Sequence, residues 1–215
     1  MSTWAFDVLD VQPTEYAAAP ELTARLRVQE ATGQRVHAVA LRCQIRIEPQ
    51  RRGYDVEDEA GIRALFGDRD RWSETLRPFQ WMQCHTTVQG FADSTEVDLA
   101  LPCTYDFDVT GSRYLHGLGS GVVPLTFMFA GTAFTRGVTG FGVEQIPWDC
   151  EARYDLPVPV WQSMIATYFP RAGWIRLDHD VLARLGDYRA ERGLVSWEET
   201  VTELLGVDAE GGVPR

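Results

Sequence analysis

The chain has 215 residues, 45% apolar and 24% charged, with a formal net charge of −11 and a sequence pI of about 4.8. That composition is globular rather than disordered, and it is enough for one large domain or a domain with a small appendage. An acidic surface repels phosphate backbones and anionic bilayers, so nucleic acid and membrane surfaces are set aside as partners, and the charge reads first as solubility.

The N-terminal MSTWAFDVLDV lacks the basic and apolar regions of a secretory signal, and no run approaches the length of a membrane span. A cytoplasmic chain is expected. All twenty basic residues are arginine, with no lysine and no asparagine, a pattern that codon bias explains. Phe6 and Val8 suggest a first strand that Pro13 and Pro20 close off. Leu22, Ala24, Leu26 and Val28 are apolar at every second position, and after the Thr32-Gly33 turn the alternation resumes through Val39, Leu41, Cys43, Ile45 and Ile47. A period of two predicts antiparallel strands with one wet face.

Residues 51 to 78 are charged and helical in character. Asp55 or Asp58 can cap a helix that reaches Phe66 and stops at Gly67, and a second short helix carrying Trp72 and Leu76 is stopped by Pro78. Strand patterning returns over 79 to 107. The apolar run PLTFMFAGTAF, the glycines 137, 140 and 142 and the alternation of Ala152, Tyr154 and Leu156 complete the strands. From Pro157 onward Val160, Met164, Ile165 and Tyr168 take helical spacing. Trp174, Ile175 and Leu177 form a short connector. Asp178 opens another helix, and SWEE at 196 to 199 is a capping box for a last one.

Few residues look like chemistry. In QWMQCHTTV, Cys84 and His85 are adjacent, so a strand sends them to opposite faces, and a shared metal would need a bend plus remote ligands such as His116. A thiol nucleophile would need an electropositive setting. Cys43, Cys84, Cys103 and Cys150 have no CxxC spacing and are expected as free thiols of a reducing compartment. GLGSG at 117 to 121 precedes a strand instead of following one, which is the wrong order for a dinucleotide loop. DVEDE at 55 to 59 lacks the glycine and spacing of a calcium loop and reads as a solvated helix start. The segment IPWDCEARYDLPVPVWQ gathers Trp148, Asp149, Arg153, Tyr154 and Trp161. It reads either as an anchor for the C-terminal helices or as a partner surface, since Trp, Tyr and Arg are enriched at interfaces.

LRPFQW, TTV, CTYDFDVTGSRYLHGL, IPWDCEARYDLPVPVW, YFPRAGWIRL and RGLVSWEE together resemble a family of actinobacterial proteins known only as a domain of unknown function. Its members are often met in nickel–iron hydrogenase gene neighbourhoods. The resemblance implies an accessory or assembly role with a protein partner, and it brings no catalytic residues.

The expected fold is α+β with a β majority, an antiparallel immunoglobulin-like β-sandwich over 1–157. A helical insertion falls at about 55–78, a C-terminal helical segment over 158–207 packs on the sandwich, and the tail over 208–215 frays. The expected function is a non-enzymatic protein-interaction or assembly protein without a cofactor, with a homo-oligomer allowed. The alternatives are a small-ligand or carbohydrate binding module and a metal- or thiol-dependent enzyme using Cys84, His85 or His116.

Overall fold

The computed structural model describes residues 3–104, 109–136, 140–170, 175 and 177–206. Gly137, Trp174, residues 105–108 of the CTYDFDV motif and the tail from 207 lie outside the described residues. The chain divides into two units, Met1–Trp174 and Ile175–Arg215.

The first unit holds two antiparallel sheets, neither closed into a barrel. Strands β1 (Trp4–Pro13), β2 (Glu21–Glu30) and β5 (Ser94–Pro102) form one sheet in the order β1-β2-β5. Strands β3 (Val36–Ile47), β4 (Phe79–Phe91), β6 (Val122–Thr135) and β7 (Gly142–Ile146) form the other in the order β4-β3-β6-β7, and β8 (Glu151–Pro157) also pairs with β6. β7 and β8 share one flank of β6, covering residues 131–135 and 122–128 in turn. The two are separated by a turn of four residues, Pro147 to Cys150, in which the Cys150 amide donates to the Pro147 carbonyl.

The alternation seen in the sequence is the alternation of burial. Leu22, Ala24, Leu26 and Val28 of β2, Val39, Leu41, Cys43, Ile45 and Ile47 of β3, and Leu125, Phe127, Phe129 and Ala133 of β6 enter a single buried cluster shared by both sheets. Phe6 of the first sheet stacks on Phe129 of the second at 4.3 Å between centroids. Burying one such ring contributes about 1.5–3 kcal/mol.

The helical insertion lies between β3 and β4. Helix α1 (Val56–Phe66) is capped by Asp55, whose side chain accepts from the Asp58 amide, and it ends at Gly67 in a positive-φ conformation. The second helix is shorter than the spacing suggests: a 3₁₀ turn over Arg69–Arg71 leads into α2, only Trp72–Thr75. Helix α3 (Thr110–His116) crosses α1 where a Cβ on Gly61 would sit 2.1 Å from the Gly117 carbonyl oxygen, so this approach requires glycine. Helix α4 (Val158–Tyr168) starts with Pro159 in its first turn and buries Val158, Trp161, Met164 and Ile165. It belongs to the first unit, Met1–Trp174.

The second unit contains α5 (His179–Glu191) and α6 (Trp197–Leu205). Ser196 and Glu199 form the capping box, and Gly206 closes α6 in the left-handed region. Arg192 pairs with Glu203, and Arg189 lies 4.1 Å over the Trp197 ring. No helix among the described residues is long and apolar enough to cross a membrane.

Candidate interaction face

Each sheet turns one face outward, and the two faces are built from different residues. On the β1-β2-β5 sheet the register aligns Asp7, Arg27 and Glu96 in one row and Asp10, Arg25 and Asp98 in the next. Each arginine of the central strand therefore stands between two carboxylates. Arg27 Nη2 donates to Glu96 Oε1 at 3.2 Å, and Arg25 Nε lies 3.5 Å from Asp98 Oδ1.

On the other sheet the outward rows read His85, Arg42, Ala130; then Gln83, Gln44, Met128; then Gln80, Arg46, Thr126, Arg153. Thr87, Ala40, Thr132 and Gln145 make a further row. The outward positions of β3, β4 and β6 carry no carboxylate, and Glu151 and Asp155 enter only on β8. Arg42, Arg46 and Arg153 make no ion pair among the described residues. Thr126 is buried between Arg46 and Arg153, consistent with arginine stems lying along the sheet. Gln44 donates to Gln80 at 2.7 Å, which ties two of the amides to each other.

One end of this face is aromatic. Phe134 and Phe141 are 5.8 Å apart, and His37 stacks on Phe141 at 6.4 Å. Phe141 and Val143 are 64% and 61% exposed. Beside them a cleft of about 320 Å³ is lined by Arg35, Val36, His37, Gly90, Phe91 and Ala92.

The sequence-predicted residues divide between core and surface. Cys84 is buried and His85 is exposed, so β4 separates them. Cys84 faces inward opposite Cys43. Burial pushes the Cys84 thiol up to about 11 and Cys103 up to about 12; it also raises Cys43, with the Cys84 thiol adding to the effect. Thiols held protonated in this way are poor nucleophiles at neutral pH. None of the four cysteines is in a disulfide. His116 ends α3, and partial burial lowers its pKa. Among the described residues no group of three His, Cys, Asp or Glu side chains is placed to hold a metal.

Of the aromatic segment, Trp148 is 90% exposed in the turn between β7 and β8, and Asp149 and Arg153 are also exposed. Trp161, offered as a surface residue, is only 2% exposed, because the helical spacing that begins at Val158 turns it into the core. Tyr154 is half-buried; its hydroxyl donates to Asp10 and accepts from the Val11 amide, joining β8 to β1. It is a tie between sheets, and its polar end is occupied. The acidic run also departs from a solvated helix start. Asp58 is 2% exposed, bonds Arg52 at 2.6 Å and accepts from the Gly119 amide at 2.8 Å. Residues of the GLGSG loop thus serve as a backbone partner for a buried carboxylate, with Ser120 O accepting from Arg52 as well.

The outward face of the second sheet was not found from alternation, because alternation reports only which side is buried. A signal was present nonetheless. In a chain of 31 acidic residues, none lies between Glu30 and Glu48, between Glu74 and Asp93, or between Asp108 and Glu144. Those three gaps are the stretches that hold β3, β4 and β6.

A family profile described as a family of unknown function, DUF6084, matches residues 1–212. No curated protein matches. Among solved structures, a β-glucosidase from Kluyveromyces marxianus is 8% identical with a TM-score of 0.27, and 72% of this chain covers 15% of it. β-Glucosidase 3B from Thermotoga neapolitana, in complex with glycerol, is 15% identical with a TM-score of 0.26, and 72% of this chain covers 17% of it. The chain therefore spans about a sixth of the length of these structures, and overlaps of this quality carry no argument about function.

Proposed function

This chain belongs to DUF6084, a family of unknown function, and we propose that it is a non-enzymatic accessory or assembly protein. It would act by presenting the outward face of β3, β4, β6 and β7 to a protein partner. The observation that carries this reading is the carboxylate-free surface with unpaired Arg42 and Arg46 on a chain of net charge −11. Cross-strand ion pairs stabilise a sheet modestly, and the other sheet forms two of them, Arg25–Asp98 and Arg27–Glu96. Leaving arginines unpaired gives that small gain up and keeps their donors available to a second molecule. Exposed Phe141, Val143 and Trp148 supply apolar and aromatic contact of the kind enriched at interfaces.

The strand order supports an immunoglobulin-like reading of the layers: first, second and fifth strands on one sheet, fourth, third, sixth and seventh on the other. A cytoplasmic location and a partner from a nickel–iron hydrogenase system belong to the proposal as well, and both rest on the sequence reading alone. The test is affinity purification of the full chain from its native host, followed by hydrogen-exchange mapping of the recovered complex. Protection across β3, β4 and β6 is the expected result. Recovery of the chain alone, or protection confined to the Asp7, Arg27 and Glu96 side, overturns the reading.

A further inference from the structure

Arg46 and Arg153 occupy one row with the β6 strand between them. At the usual spacing of neighbouring strands their backbones are about 10 Å apart, and Arg42 lies four residues from Arg46 along β3, about 13 Å away. Two arginine stems can converge on one anion across the Arg46–Arg153 row, but the roughly 13 Å between Arg42 and Arg46 is longer than a single phosphate or carboxylate. A ligand that uses all three must carry several anionic groups spaced along its own length.

We propose that the partner meets this face with a carboxylate-bearing polypeptide segment. Aspartate or glutamate side chains would lie over Arg42, Arg46 and Arg153, and an apolar residue would lie at the Phe134, Phe141 and Val143 margin. The inference rests on the face being the docking surface, as proposed above. Arginine's planar fork matches a carboxylate with two parallel hydrogen bonds. Carboxylates four residues apart on an extended segment repeat the Arg42 to Arg46 spacing. A polypeptide is favoured over a nucleic acid for two reasons. The arginines are interleaved with Ala40, Ala130, Met128 and the amides of Gln44, Gln80 and Gln83, a surface suited to side-chain and peptide contacts. In addition, the chain's overall −11 opposes a phosphate backbone, with a charge on every nucleotide, more strongly than a peptide that carries a few carboxylates.

The experiment titrates the purified full chain with three labelled probes and reads fluorescence anisotropy. One peptide alternates glutamate with leucine and phenylalanine, a second replaces every glutamate with glutamine, and the third probe is a duplex oligonucleotide. The glutamate peptide is expected to bind at least about tenfold more tightly than the glutamine peptide, with the preference fading at high salt. The double variant Arg42→Glu and Arg46→Glu is expected to lose at least about tenfold in affinity, while Arg25→Glu with Arg27→Glu keeps it. Circular dichroism melting establishes that each variant is folded. Absence of glutamate-peptide binding, equal affinity for the two peptides, tighter binding of the oligonucleotide, or indifference to the Arg42 and Arg46 reversal each overturns the inference. If exchange mapping still places the native partner on β3, β4 and β6, the face survives as a docking surface and only its carboxylate ligand falls; protection elsewhere removes the face itself.

Discussion

On the β1-β2-β5 sheet, Arg25 and Arg27 stand between carboxylates from both neighbouring strands. On the β4-β3-β6-β7 sheet, Arg42 stands between His85 and Ala130, and Arg46 between Gln80 and Thr126. The same residue type on the same kind of strand thus pairs with a carboxylate on one sheet and has none to pair with on the other. The core does not require this difference, because the inward rows of both sheets are equally apolar. What distinguishes the faces is the outward residue between each pair of core residues, and that is where a function not dependent on stability can be written.

The comparison can be sharpened by asking what a pair contributes in each setting. The buried pair Arg52–Asp58 sets the upper end, with side chains 7% and 2% exposed. Asp58→Ala removes the partner of a buried guanidinium and the acceptor of the Gly119 amide, and it should cost about 3–5 kcal/mol in urea unfolding. The next effect probes the backbone beneath the open face. A Cβ on Gly131 would sit 2.3 Å from the Ala40 carbonyl oxygen, so Gly131→Ala must push β6 from β3 and should cost about 1–3 kcal/mol, read as a lower denaturation midpoint.

Alkaline pH should act on the shared interior and leave the two faces equally intact. Cys84 is raised from 9.0 to about 11 and Tyr114 from 10.0 to about 12, both chiefly by burial. The folded state therefore holds these protons more tightly than the unfolded state. Stability is fully present below pH 9 and falls as pH rises through about 11 and 12, by about 1.4 kcal/mol per pH unit for each group once its unfolded form has lost its proton. A melting temperature that stays level from pH 9 to 11 would contradict the burial of these groups. The smallest effects lie on the faces. Arg27→Ala should cost less than about 1 kcal/mol and the loss should shrink in salt, whereas Arg42→Gln should be neutral within about 0.5 kcal/mol. Equal costs for the two substitutions would erase the distinction between paired and unpaired arginines.

Local features of the fold could be read from the chain alone. Period-two apolar rows gave β2 and β3, Asp55 with Gly67 bounded α1, and SWEE opened α6. Pairing could not be read in the same way. β4 and β5 are joined by a short turn at Ala92 and Asp93, yet they belong to different sheets, because β4 pairs with β3 and β5 with β2. A period of two says which side chains face inward and nothing about which strand lies alongside. Asp58 was misread for a related reason: its partners Arg52 and Gly119 come from loops that only the tertiary fold brings together. The type of Trp161 fits either an anchor or a partner surface, and only its position on the buried side of α4 separates the two. The candidate face was recorded in the sequence as an absence of acid over three separated stretches, and those become one surface only when β3, β4 and β6 are adjacent.

The central claim is that the open arginines serve a second molecule. Modification by an arginine-selective dicarbonyl, read by mass spectrometry on the free chain and on the complex recovered from the native host, tests it directly. Arg42, Arg46 and Arg153 should be protected in the complex while Arg25 and Arg27 react at unchanged rates. Unchanged labelling of Arg42 and Arg46, or protection of Arg25 and Arg27 instead, would contradict the account.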